Sequence, residues 1–138
     1  MPEQQVEVIV IGAGPAGYVA AGRAAELGFD TLCIDDRPSA GGTCLHVGCI
    51  PSKALLCSTE HVARARDGLG VHGITIEQLS VDLDAMMERK ASVVDRLTSG
   101  VDALLEKRGA ARLIGRARLL GRGRVGVRTG DGDEQTFE

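Results

Sequence analysis

Cys44 and Cys49 are the residues of this chain best suited to redox chemistry, and their setting, Gly41-Gly42-Thr43-Cys44-Leu45-His46-Val47-Gly48-Cys49-Ile50-Pro51-Ser52-Lys53, favours sulfur exchange. A glycine pair precedes the two thiols and a lysine follows them. On one continuous helix the thiols would lie about one and a half turns apart, too far round to face each other. A bridge would need their Cα atoms within roughly 7 Å. It would therefore require a distorted turn, which Gly48 and Pro51 can permit, and a strained or accessible bridge is the reducible kind. Two other readings stand beside this one. His46 and His61 could complete a zinc set, although no second ligand pair with the usual spacing exists. The two cysteines could also be small buried hydrophobes.

The elements that would position this stretch begin upstream. Val6-Glu7-Val8-Ile9-Val10-Ile11 is rich in β-branched residues and runs into glycine, which reads as a buried strand. Gly12-Ala13-Gly14-Pro15-Ala16-Gly17 follows, and after it an Ala-rich helix from about Pro15 to Leu27. This is the dinucleotide fingerprint in its required strand–turn–helix context. Gly12 serves the tight turn, Gly14 lets the backbone approach a pyrophosphate, and Gly17 lets the helix pack on the strand, with the helix N-terminus facing the phosphates. Pro15 is tolerated in the first turn. Gly28 closes the helix, Thr31-Leu32-Cys33-Ile34 is a second strand, and Asp35 ends it where an acid accepts hydrogen bonds from a ribose hydroxyl. Cys33 and Cys57 read as core.

Beyond the cysteines, a helix is expected from about Pro51 to Arg66, then a loop with a short strand at Ile74-Thr75-Ile76. Leu83, Met87, Val94, Leu97, Val101 and Leu104 form the seam of a long amphipathic helix over Asp82 to Arg108, stopped by Gly109. Its expected use is packing on the sheet or beside the cysteine helix, with a coiled-coil partner as the alternative. Ala111-Arg112-Leu113-Ile114 reads as a third parallel strand. Arg118-Leu119-Leu120, Arg124 to Arg128 and Gln135-Thr136-Phe137 read as a β-meander.

The 138 residues make one domain's worth of chain, with a net charge of −3 and aromatics limited to Tyr18, Phe29 and Phe137, so aliphatic side chains must fill the core. The charge is too slight to argue for a polyanionic or membrane partner. No apolar run reaches the roughly 20 residues of a membrane span, and Met1 to Gln5 lack the basic flank and apolar segment of a secretory signal. The expected location is cytoplasmic, where an accessible disulfide is catalytic more often than structural. Arg112, Arg116, Arg118, Arg122, Arg124 and Arg128 have no aromatic stacking groups among them, so they read as a solvated strand face, not a nucleic-acid surface.

Gly12-x-Gly14-x-x-Gly17, Asp35 and Gly42-Thr43-Cys44-x4-Cys49-Ile50-Pro51-Ser52-Lys53 together resemble the N-terminal FAD-binding segment of the flavin disulfide oxidoreductases. The Ile50-Pro51-Ser52-Lys53-Ala54-Leu55-Leu56 run is closer to the dihydrolipoamide dehydrogenase branch than to glutathione, trypanothione or mercuric reductases. The resemblance implies a Rossmann-like α/β domain with a parallel sheet, helices on both faces and a β-meander. It implies FAD as cofactor, NAD⁺ as acceptor and Cys44–Cys49 as the redox disulfide, with Cys44 the outer sulfur and Cys49 against the flavin. FAD contacts then fall to Gly12, Gly14, Gly17, Asp35, Gly42, Thr43, Lys53 and the backbone of Ala117. Lys53, beside the reactive edge of the flavin, would favour the reduced ring, and a thiolate near it and a helix start would be stabilised. Implied partners are the lipoyl domains of 2-oxoacid dehydrogenase or glycine cleavage complexes, and a second copy in a homodimer. The alternatives are another pyridine nucleotide-disulfide reductase or a non-catalytic nucleotide-binding fragment.

Two residues depart from the family pattern: His46 stands where Asn is usual, and Asp35 where Glu is usual. The family's second Gly-rich fingerprint for NAD, its later flavin-contacting segment and its interface domain have no counterpart in the sequence. Residues 1–138 therefore read as the N-terminal part of an FAD-binding domain, expected to be inactive alone.

Overall fold

The computed structural model describes residues 4–138; Met1, Pro2 and Glu3, part of the stretch read against a secretory signal, lie outside the described residues. Strand β1 (Val8–Ile11) leads through the glycine turn into helix α1 (Pro15–Glu26) and back to strand β2 (Thr31–Asp35). The two strands pair in parallel, from Val8 opposite Thr31 to Ile11 opposite Ile34. Strand β3 (Ala111–Ile114) pairs in parallel with the other edge of β2, so the order is β1-β2-β3. With a strand on each side and a layer on each face, β2 has Thr31 to Ile34 all buried.

Successive side chains of a strand point to opposite faces, and β2 uses both. Cys33 joins Ala13, Ala21, Ala40, Leu105 and Ala110 in one core, beneath α1 and helix α4 (Leu83–Lys107). Leu32 and Ile34 join Val125, Val127 and Phe137 in a second core. That second core lies against the meander, strands β4 (Arg116–Gly121), β5 (Arg124–Arg128) and β6 (Glu134–Phe137), which pair antiparallel in sequence order. The expected α/β architecture is present, with one correction in layering. Helices α1 and α4 share one face, and the meander, not a helical layer, covers the other. The N-terminal segment pairs beside the meander as well: Gln4 N–H donates to Thr136 O at 3.1 Å and Val6 N–H to Glu138 O at 2.9 Å.

Helix α4 matches its expected limits. The Asp82 carboxylate accepts the Ala85 N–H at 3.0 Å, and Gly109 follows the helix at a φ of +81°. Helix α3 (Cys49–Ala63) packs along it, preceded by the short helix α2 (Gly42–His46). Of the expected α4 seam, Val94, Val101 and Leu104 are half-buried while Leu83, Met87 and Leu97 stay exposed, and the buried positions are instead Thr98 and Leu105, one residue on from Leu97 and Leu104. Ile74-Thr75-Ile76 forms no strand and pairs with none of the described strands. No described helix is long and apolar enough to cross a membrane.

Candidate functional site

The cysteine stretch folds as two helices meeting at a break, not as one distorted helix. Helix α2 ends at His46, Gly48 adopts φ −113° and ψ −110°, and α3 starts at Cys49. A Cβ on Gly48 would stand 3.1 Å from the Thr43 carbonyl oxygen and 3.6 Å from the Cys44 Cα. Glycine is what lets the second thiol turn back over the first. Pro51 sits in the first turn of α3, where a missing N–H costs the helix nothing. Upstream, the Gly41 N–H donates to the Ala13 carbonyl at 2.8 Å. A Cβ on Gly42, at φ +58°, would lie 2.6 Å from the Gly14 Cα. The cysteine helix is thus docked backbone to backbone on the dinucleotide loop.

All four cysteines are free thiols. The Cys44 thiol is held above its ordinary value, first by its side-chain hydrogen bond with Cys49, then by desolvation and by the charge of Cys49. The Cys49 backbone N–H and Lys53 pull in the opposite direction without prevailing. At Cys44 the hydrogen bond with Cys49 thus outweighs the opposing pull of Lys53. Lys53, exposed, lies about one turn beyond Cys49 on the same side of α3.

Cys33 is core, as expected; burial, then Asp35, pushes its thiol up against the opposing pull of Arg112. Cys57 is exposed, a correction to its expected core placement, because α3 buries only Ala54 and leaves the turn after it open. Its Sγ stands 3.9 Å from His61 Nε2. His46 turns toward the preceding loop, its Nε2 lying 3.1 Å from the Ser39 carbonyl and 3.4 Å from the Ser39 hydroxyl. The two histidines of the possible zinc set therefore point to different places.

In the dinucleotide loop, Gly12 adopts φ +97° and its N–H donates to Ile34 O at 2.7 Å. A Cβ on Gly17 would land on the Gly12 carbonyl oxygen. No side chain caps α1, so the N–H groups of its first turn remain open to an anion. Asp35 has a role beyond the expected ribose contact: its Oδ2 accepts the Ala13 N–H at 2.7 Å and its Oδ1 the Arg37 N–H at 2.9 Å. Each oxygen keeps lone-pair capacity for a further donor. Asp35 and Ala117 share with Gly12, Asp36 and Arg116 one cleft of about 200 Å³. Open helix amides beside a cleft with an acid on its wall fit a dinucleotide. Thr43 and Lys53 lie outside that cleft, on α2 and α3.

Sequence reasoning missed Asp102 and Arg112. Arg112, expected on a solvated strand face, is only 17 % exposed in its side chain and pairs with Asp102 at 2.6 Å. The pairing joins β3 to α4, and no local pattern in an arginine-rich run marks an arginine that turns inward. Arg116, Arg118, Arg122 and Arg128 are exposed as expected.

Residues 6–138 match the profile of the family described as Pyridine nucleotide-disulphide oxidoreductase. The chain is 42 % identical to the mitochondrial dihydrolipoyl dehydrogenase of Pisum sativum, over 92 % of this chain and 25 % of that protein. It is 44 % identical to the dihydrolipoyl dehydrogenase of Cupriavidus necator, over 81 % of this chain and 25 % of the relative. Leghemoglobin reductase of Glycine max is 44 % identical over 92 % of this chain and 24 % of its own length. The chain thus spans about a quarter of the length of the curated relatives it matches.

Proposed function

This chain belongs to the pyridine nucleotide-disulphide oxidoreductase family, and from that premise we propose that it forms the FAD-binding, dithiol-carrying N-terminal part of a dihydrolipoyl dehydrogenase. The observation that carries the reading is the docking of the Cys44–Cys49 pair on the glycine loop through Gly41 and Gly42. That contact brings sulfur chemistry and a dinucleotide site into one unit.

In this reading Cys44 and Cys49 cycle between dithiol and disulfide. One sulfur of dihydrolipoamide, having lost its proton, attacks the Cys44 sulfur, and Cys49 leaves as a thiolate. The second substrate thiol then displaces Cys44, closing the cyclic disulfide and leaving two electrons on the protein pair. The hydrogen bond between the two thiols suits Cys44 to keep a proton in the reduced state. Gly12, Gly14 and Gly17 shape the loop that receives the pyrophosphate, Gly42 and Thr43 close over it, Asp35 and the Ala117 backbone line the adenosine end, and Lys53 places a cation on the Cys49 side. FAD, when bound, supplies the two-electron acceptor from which NAD⁺ takes a hydride. Lipoyl domains as substrate carriers, a homodimer and a cytoplasmic setting belong to the same proposal.

The test uses the 138-residue chain, oxidised and then treated with dihydrolipoamide. The expected result is loss of one disulfide per chain, mapped to Cys44 and Cys49, and, in the full-length enzyme, FAD binding that Gly14→Val abolishes. A bridge that includes Cys33 or Cys57, or flavin retained in full by Gly14→Val, would overturn the reading.

A further inference from the structure

The segment 36–41 between β2 and α2 makes no regular structure, yet it delivers Cys44 and carries Gly41, which bonds to the dinucleotide loop. Side chains hold it from several sides. Asp35 binds its Arg37 N–H at 2.9 Å, and His46 meets Ser39. Two further contacts come from elements distant in sequence. A single oxygen of Asp102 on α4, Oδ1, accepts both the Ala40 N–H at 3.0 Å and Arg112 Nη1 at 2.6 Å. The same Arg112, on β3, donates from Nη2 to the Arg37 carbonyl at 2.8 Å. One guanidinium and one carboxylate therefore grip the connector at both ends, just before the residue that touches Ala13.

This pair is poorly arranged for stability alone. Both side chains are largely withdrawn from water, and the Nε of Arg112 is buried without a hydrogen-bond partner among the described residues. Such pairs often contribute less than apolar side chains of the same volume. What the arrangement does supply is position, because a planar guanidinium holds two acceptors at fixed directions at once. We propose that Asp102 and Arg112 act as positioning residues, a latch on the 36–41 connector that sets Cys44 and the dinucleotide loop relative to each other. The proposal rests on the functional reading above only for its cofactor arm; its thiol arm stands separately.

The experiment compares the 138-residue chain with Asp102→Asn, which keeps shape and one acceptor oxygen, with Arg112→Met, and with the double variant. Iodoacetamide labelling, mapped by peptide, gives the rate at Cys44 relative to Cys57, which lies on the outer side of α3 and serves as internal reference. Loosening the connector opens half-buried Cys44, so the Cys44-to-Cys57 ratio is expected to rise roughly threefold or more in each single variant, with little further rise in the double because both cut the same link. FAD dissociation constants are expected to rise about tenfold. Arg112→Lys, a point charge that can hold Asp102 or the Arg37 carbonyl but not both, should give an intermediate ratio and covers the case of a variant that fails to fold. A ratio unchanged while the melting temperature falls would make the pair merely structural and end the proposal. Residues 1–138 alone are expected to hold FAD weakly; if they bind none, the thiol ratio alone decides the latch.

Discussion

Two kinds of joint hold the site, and they differ in what does the holding. The contact between the dinucleotide loop and the cysteine helix is made of backbone, Gly14 against Gly42 and Gly41 N–H to Ala13 O, and so is the contact inside the loop, Gly17 beneath Gly12. The connector between β2 and α2 is held by side chains reaching from afar, Asp102, Arg112 and His46. Backbone contacts have little slack where a Cβ would strike main chain, as at Gly17 and Gly42. Side-chain joints can lose one member and relax. The first kind is written into a short motif, and the second is assembled only when the chain folds.

The contrast is tested most severely at Gly17. Gly17→Ala drives a Cβ into the Gly12 carbonyl, and a loss of about 3 kcal/mol or more is expected. Gly14→Ala, whose Cβ would meet only the Gly42 Cα at 3.9 Å, should leave folding nearly unchanged. Chemical denaturation of the two variants side by side measures the difference; equal losses would erase the distinction.

A second variant probes the joint between the thiols. Cys49→Ala removes the largest cause that raises the Cys44 thiol, its side-chain hydrogen bond, and also removes the opposing charge, while the backbone N–H at position 49 and Lys53 remain. Both changes move Cys44 downward. The midpoint of its alkylation-versus-pH curve should therefore shift to lower pH, with faster labelling at neutral pH. A shift upward would mean that the hydrogen bond does not govern Cys44.

The smallest effect is expected at the side-chain joint. His46→Ala loses the contacts to Ser39, and a cost of about 1 kcal/mol in thermal unfolding is expected, with the remaining grips keeping the connector in place. A loss as large as that of Gly17→Ala would show that the connector has no redundancy.

The parallel unit, the glycine turn, α4 with its Asp82 cap and the meander could all be read from the sequence, because each depends on local periodicity or on residues with special backbone freedom. The pairing of Cys44 and Cys49 was legible as chemistry but not as geometry. A single helix with a distorted turn was the simplest expectation, and the actual device is a break at Gly48 that starts a new helix. The inward turn of Arg112 and the outward turn of Cys57 were not legible. Both depend on which side of an element faces a neighbour far away in sequence, and Arg112 is of the same type as the arginines that follow it. Asp35 was placed correctly, while its bond to Ala13 N–H follows from how close β2 comes to the loop, a distance no spacing rule contains.

Strand β2 gives Leu32 and Ile34 to the meander side and Cys33 to the helix side. It therefore cannot slip against its neighbours. A shift of one residue would exchange the two sets, sending isoleucine and leucine into a layer shaped for alanines and a cysteine, and leaving the meander without its anchors. A shift of two would keep the sides but move Asp35 away from the Ala13 amide it binds. The acid on the cleft wall is thus held in register by the hydrophobic layers on both faces of its strand, as a ruler pinned on both faces fixes the mark at its end.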